Sequence, residues 1–239
     1  MTDMLNKVIF LVILFLANAI QAITGFAGTV LAMPPSMLLI GVENAKTVLN
    51  VMAWLSCLWI TLQNMKYIRF KELGKIILFM SVGMVAGLQI LKIFPSPILL
   101  KIYGIVILAI ALKNLLVKKE KKLSNIVLII VLLVSGVIHG MFVSGGALLV
   151  VYASQVLRDK DEFRATIAPV WVILNTFMGI QQLQSGYFTK EVLILIGVSI
   201  VPLFAAVLLG NWLQKKINQK TFLKMTYILL AISGLSVIL

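Results

Sequence analysis

The sequence predicts an all-α, polytopic membrane protein built as an inverted repeat of five apolar segments per half, with both termini on the outer side. Three observations carry this. Hydrophobic residues make up 61% of the chain and charged ones 12%, about half the charged share of a soluble domain, and the mean hydropathy is +1.08. The apolar residues gather into ten segments separated by short polar connections. If each segment reverses direction, 16 of the 21 Lys and Arg fall on one side. These are Lys66, Arg69, Lys71 and Lys75; Lys113, Lys118, Lys119, Lys121 and Lys122; Arg158, Lys160 and Arg164; and Lys215, Lys216, Lys220 and Lys224. The other side holds only Lys7, Lys46, Lys92, Lys101 and Lys190. Cytoplasmic loops carry the excess of Lys and Arg, so the first side is cytoplasmic and both termini lie outside.

The first half contains segments 8–24, 26–41, 43–64, 73–93 and 97–116. The first of these follows Lys7 and contains Ala17-Asn18-Ala19, which imitates a secretory signal with a small-residue cleavage site. A single Lys opposed by Asp3 makes a weak basic region, and the segment has a counterpart later in the chain. It is read as a retained helix. The second segment has 16 positions, fewer than the roughly 20 that span hydrocarbon, and Pro34-Pro35 interrupts it. It is expected to be broken or re-entrant. The basic stretch 118–123 links the halves, giving repeats 1–117 and 124–239. The second half contains 124–142, the short 144–157, then 162–183, 190–213 and 219–238.

The halves match at an offset of 118. Gly28 pairs with Gly146, Glu43 with Asp161, Lys46 with Arg164, Gln63 with Gln181 and Phe70 with Phe188. After a five-residue insertion Gly87 pairs with Gly210, Lys92 with Lys215 and Lys101 with Lys224. Five segments per half is odd, so the second half enters the membrane upside down. Many secondary transporters have this plan, with substrate held near the midplane at the repeat interface.

Two glycine turns are the first candidate site: Thr24-Gly25-Phe26-Ala27-Gly28 and Ser144-Gly145-Gly146. Each precedes a short segment. A helix starting there presents free N–H groups and the positive end of its dipole, which suits an anion. The competing reading is close helix packing through small residues. His139, the single histidine, lies just before the second turn, and Gln21 is its repeat partner. His139 is the candidate coupling group, because histidine titrates near neutral pH. Its alternative is a neutral imidazole bonded across a helix interface. Asn50, Trp54 and Cys57 share one helical face, as do Trp171 and Asn175. Such faces line a pathway or act as interhelical glue, and for the tryptophans the membrane-interface belt competes. Lys46 and Arg164 read as interfacial anchors beside Glu43 and Asp161, with attraction of anions to opposite mouths as the second reading. All eight Asp and Glu lie in loops or at segment ends, which favours an anion over a cation in the core.

These residues resemble the TauE/SafE sulfite exporter family of small bacterial anion permeases. The likeness rests on Thr24-Gly25-Phe26-Ala27-Gly28 with Pro34 beyond it, and on Gly136-Val137-Ile138-His139-Gly140-Met141-Phe142-Val143-Ser144-Gly145-Gly146. Ala165-Thr166, echoed by Ala45-Lys46-Thr47, follows in each half. The family's triple-glycine turns are reduced here, and no proline follows the second. The resemblance implies movement of sulfite, sulfonates or related small organic anions across the bacterial cytoplasmic membrane.

The expected function is therefore alternating-access transport of a small anion bound by Gln21, Thr24, Gly25, Gly28, Asn50, His139, Ser144, Gly145, Gly146 and Asn175. Protons are the candidate coupling ion. The expected partners are the substrate and the lipid bilayer, with no nucleic acid, since the positive charge is spread over short loops. The oligomeric state is open, a homodimer included. No cofactor or metal is expected: the one cysteine, Cys57, excludes an intramolecular disulfide and a multi-cysteine metal site. An enzyme is not expected, because no nucleophile–base pair or nucleotide loop is present. An anion-selective channel and a non-transporting membrane subunit are the alternatives.

Overall fold

The computed structural model describes residues 2–94, 96–116, 123–157 and 159–238. Residues 118–122 of the expected basic linker, and Arg158, lie outside them. Ten α-helices fill the described residues: α1 (Thr2–Thr24), α2 (Ala27–Ile40), α3 (Val42–Asn64), α4 (Phe70–Ile93), α5 (Ser96–Leu116), α6 (Asn125–Phe142), α7 (Gly146–Val156), α8 (Lys160–Gln184), α9 (Lys190–Lys216) and α10 (Gln219–Ile238). A 3-10 turn (Met65–Tyr67) follows α3. Local chemistry sets several starts. The carboxylate of Asp159 accepts from the amides of Asp161 and Glu162 at 2.8 and 3.0 Å, so α8 begins at Lys160. Thr189 and Ser124 cap α9 and α6 in the same way.

Six stretches are long and apolar enough to cross a membrane: Met4–Thr24, Val42–Tyr67, Phe70–Ile93, Asn125–Phe142, Lys160–Gln184 and Lys190–Lys216. Leu78, Val82 and Val85 on α4, and Leu193, Val201 and Leu208 on α9, point outward. Asn18, Gln21, Asn50, His139 and Asn175 point inward. That distribution suits a hydrocarbon surround. α2 and α7 have 14 and 11 residues, about 21 and 17 Å at 1.5 Å per residue, against about 30 Å of hydrocarbon.

One expectation is corrected here. α2 is not interrupted at Pro34-Pro35; it runs through both prolines. The ring fixes φ near the helical value, but the prolines lose the donors that would have bonded back to Val30 and Leu31 and crowd those carbonyls. Packing against α1, α3 and α10 holds the helix together.

Each short helix folds back on the helix before it. Asn6 donates to the carbonyl of Leu39 at 3.4 Å, which brings the end of α2 beside the start of α1. The amide of Leu123 donates to the Gln155 side chain at 2.9 Å, which brings the end of α7 beside the start of α6. The first hairpin opens where α9 begins, through the Lys7–Glu191 pair at 2.8 Å. The second opens where α4 begins, through Tyr152 donating to Glu72 at 2.5 Å. Arg69, just before α4, pairs at 2.6 Å with Glu162 at the start of α8, and α8 ends where α9 begins. The hairpins therefore enter the bundle from opposite ends.

Around them, glycine sets the closest approaches. Gly83 and Gly87 of α4 lie on the carbonyls of Leu133 and Val137, and Gly136 and Gly140 of α6 lie on those of Met80 and Met84. A Cβ at any of the four would overlap backbone. Gly210 of α9 packs in the same way on Ala19 and Ala22 of α1. α5 packs on α10, and α3 on α8.

Candidate functional site

The tips of the two hairpins meet. At Gly146 a Cβ would lie 2.7 Å from the carbonyl oxygen of Phe26 and 3.2 Å from the side chains of Phe26 and Val30. The missing side chain at Gly146 is what lets α7 start against the first turn.

The first tip closes on itself. Gly25, at φ +84, turns the chain. The Thr24 hydroxyl accepts from the amides of Phe26 and Ala27 at 3.3 and 3.1 Å. The Gln21 side-chain oxygen accepts from the amide of Gly28 at 2.6 Å, and its nitrogen donates to the Cys57 sulfur at 3.0 Å. The amides expected to face an anion at this turn are thus already bonded to Thr24 and Gln21.

The second tip differs. α6 ends on Val143 at φ 53, a left-handed conformation that costs a β-branched residue on the order of 1–2 kcal/mol. α7 then starts at Gly146 with no side-chain cap. Ser135 bonds the carbonyl of Gly145 at 2.7 Å, not its amide. The Ser144 hydroxyl faces the Tyr103 hydroxyl of α5, and neither closes a hydrogen bond of good geometry. Both residues are 1% exposed. His139 lies against Gly145, its ring 5.2 Å from that of Trp171. The side-chain oxygen of Asn175 and both nitrogens of His139 are buried without a hydrogen bond, although the two side chains face each other. Buried polar atoms are normally paired, so the second tip gathers several polar groups with hydrogen-bonding capacity to spare.

α8 and α3 tie the tips together. Trp171 is buried inside the bundle and donates to the carbonyl of Gly25 at 2.9 Å. Asn50 donates to the carbonyl of Asn175 at 3.1 Å and to Gln182 at 3.0 Å. Behind this pair a cleft of about 380 Å³ opens between α3 and α8, lined by Asn50, Trp54, Asn175, Thr176, Ile180 and Phe188, among others. Of the ten residues expected at the site, Gln21, Thr24, Gly25 and Gly28 build the first tip, His139, Ser144, Gly145 and Gly146 lie at the second, Asn50 and Asn175 bond to each other beside them, and Phe26 and Trp171 link the two tips.

Cations lie toward each end. Lys46 pairs with Glu43 at 3.4 Å. Arg164 is 6% exposed and donates to Asn211 rather than pairing with Asp161, whose oxygen takes Gln214 at 3.0 Å. At the surface beyond it, the hydrogen bond to Glu162 raises the guanidinium of Arg69 above its ordinary value. Among the described residues no three of His, Cys, Asp and Glu come together as metal ligands.

Sequence reasoning missed Tyr103. α5 reads as an apolar segment carrying Lys101 and Lys113, and a tyrosine there fits an interface anchor as well as a core hydroxyl. Its position nearly two turns inside the segment, beyond the expected belt, is the signal that was available.

The family model for the sulfite exporter TauE/SafE matches residues 10–237. No curated protein and no solved structure matches the chain. Family match and long apolar helices agree: the chain is a multi-pass membrane protein and belongs to the sulfite exporter TauE/SafE family.

Proposed function

We propose that the protein is a secondary transporter of a small anion, of the sulfite, sulfonate or related organosulfur class, binding where the hairpin tips meet. The observation that carries this is the second tip: an uncapped helix start beside the buried hydroxyls of Ser144 and Tyr103, which face each other without a hydrogen bond of good geometry. Hydroxyls and amides suit an oxyanion. Among the described residues the carboxylates stand at helix ends, as Glu43, Glu72, Asp159, Asp161, Glu162 and Glu191 do, so none repels an anion from the core.

In this reading the two halves form an inverted repeat. The packing pairs support it: exchanging α1–α5 with α6–α10 turns α1–α9 into α6–α4, α1–α2 into α6–α7, α3–α9 into α8–α4 and α2–α10 into α7–α5. The α3–α8 and α5–α10 pairs map onto themselves. Such symmetry allows one arrangement to be swapped for its mirror in alternating access. The charge bias supports termini outside a bacterial cytoplasmic membrane. The α3–α8 cleft is the outer approach, and Asn50 and Asn175 pass the anion to the tips. His139 carries the coupling proton.

The test is saturable uptake of labelled sulfite into proteoliposomes under an imposed pH gradient, with counterflow as a second readout. His139→Gln is expected to lose gradient-driven accumulation while keeping counterflow. Flux that never saturates and shows no counterflow means a channel instead. No flux of sulfite or of a sulfonate panel by folded protein rejects transport of this class.

A further inference from the structure

Arg164 combines burial with an unfilled donor. The residue is 6% exposed, and burying its charge is costly unless it is paired and fully hydrogen-bonded. Its partner is a neutral amide: one terminal nitrogen donates to the Asn211 oxygen, and Asn211 in turn donates to Gln63 at 3.4 Å. Asp161 acts on it only through space. The Nε–H has no partner. The residue also lies on the first tip: its Cα and Cγ are 3.4 Å from where a side chain at Gly25 would begin. Trp171, seven positions along the same face of α8, bonds that glycine's carbonyl.

Lys46, its match in the other half, differs. Its ammonium already holds Glu43.

We propose that Arg164 is an anion-binding subsite on the Lys/Arg-rich side of the tips, receiving an oxyanion between Nε and a terminal nitrogen. This rests on the transport reading above and adds its charged component. A planar guanidinium holds two oxygens of one sulfur or phosphorus oxyanion in a fork that a lysine does not reproduce. The Lys46 end has no equivalent, so recognition is one-sided.

The chain has three arginines, Arg69, Arg158 and Arg164, so full-length protein carrying ¹⁵N-arginine in nanodiscs gives three Nε–H signals. The Arg164→Lys spectrum identifies the buried one. Titration with sodium sulfite against a sodium chloride control is expected to shift the Arg164 signal saturably, at the midpoint that half-saturates flux. In flux from the Lys/Arg-rich face, Arg164→Gln is expected to raise KM about 10- to 100-fold, the range for a hydrogen bond to a charged group. Lys46→Gln removes a buried cation whose ammonium is already held by Glu43, so its expected effect is on thermal stability, with KM from that face unchanged. Sulfite transport by a sample whose Arg164 signal does not move overturns the subsite and leaves the carrier standing. A wild type that neither binds nor moves sulfite overturns both. The titration uses the native chain, so it decides the matter even where Arg164→Gln fails to fold.

Discussion

Gly146→Ala tests whether contact between the tips matters. The added Cβ would sit 2.7 Å from the Phe26 carbonyl oxygen, with side-chain atoms of Phe26 and Val30 at 3.2 Å, where ordinary contact begins at 3.4 Å. The nearest atom is backbone, so the tips must separate by about 0.7 Å, and overpacking of this kind costs about 1–3 kcal/mol. The better helical preference of alanine offsets at most about 1 kcal/mol. A net loss of about 1–2 kcal/mol lowers the midpoint of thermal unfolding by about 2–8 °C for a chain of this size. Transport falls more steeply, because the second-tip donors shift with the helix start. The assay is thermal unfolding and sulfite counterflow on the same preparation. Gly197→Ala is the control, since nothing lies within 4 Å of that position; it is expected to raise stability by about 0.5–1 kcal/mol. If Gly146→Ala matched Gly197→Ala in both stability and flux, the reasoning from tip contact would fail.

Ser144→Ala and Tyr103→Phe each remove one buried hydroxyl at the second tip, and each is expected to weaken sulfite affinity about 10-fold or more, the cost of a hydrogen bond to a charged group. Equilibrium binding to purified protein measures it. Gln21→Ala leaves the Gly28 amide and the Cys57 sulfur without their partner, so the expected change is in thermal stability, about 1–3 kcal/mol for a buried donor left unpaired, with a smaller effect on KM. Gly136→Leu drives a side chain into the Met80 carbonyl and is expected to abolish the monodisperse peak in size-exclusion chromatography.

The helices were legible because membrane segments announce themselves twice, by continuous apolar length and by the charged or glycine residues that end them. The two tips were legible because Gly25, Gly28, Gly145 and Gly146 punctuate chains that otherwise have no reason to turn. The continuity of α2 was not, since a Pro-Pro pair argues locally for a break and only neighbouring helices overrule it. The difference between the tips was hidden as well. Thr24 and Gln21 are as compatible with holding a ligand as with capping the helix that follows them, and spacing does not separate the two. Arg164 read as a surface anchor because Asp161 lies three positions away in sequence. In the fold that carboxylate takes Gln214, and the guanidinium turns inward to Asn211. Tyr103 reaches Ser144 across the bundle, a contact between distant segments that no local pattern encodes.

The most direct test of the central claim compares counterflow of labelled sulfite, over a range of concentrations, by wild type and by the Ser144→Ala/Tyr103→Phe double variant in proteoliposomes of matched protein content and unfolding temperature. The account predicts saturable flux in the wild type and a KM at least about 10-fold higher in the double variant. Equal KM values in two equally stable proteins would place the anion elsewhere and contradict it.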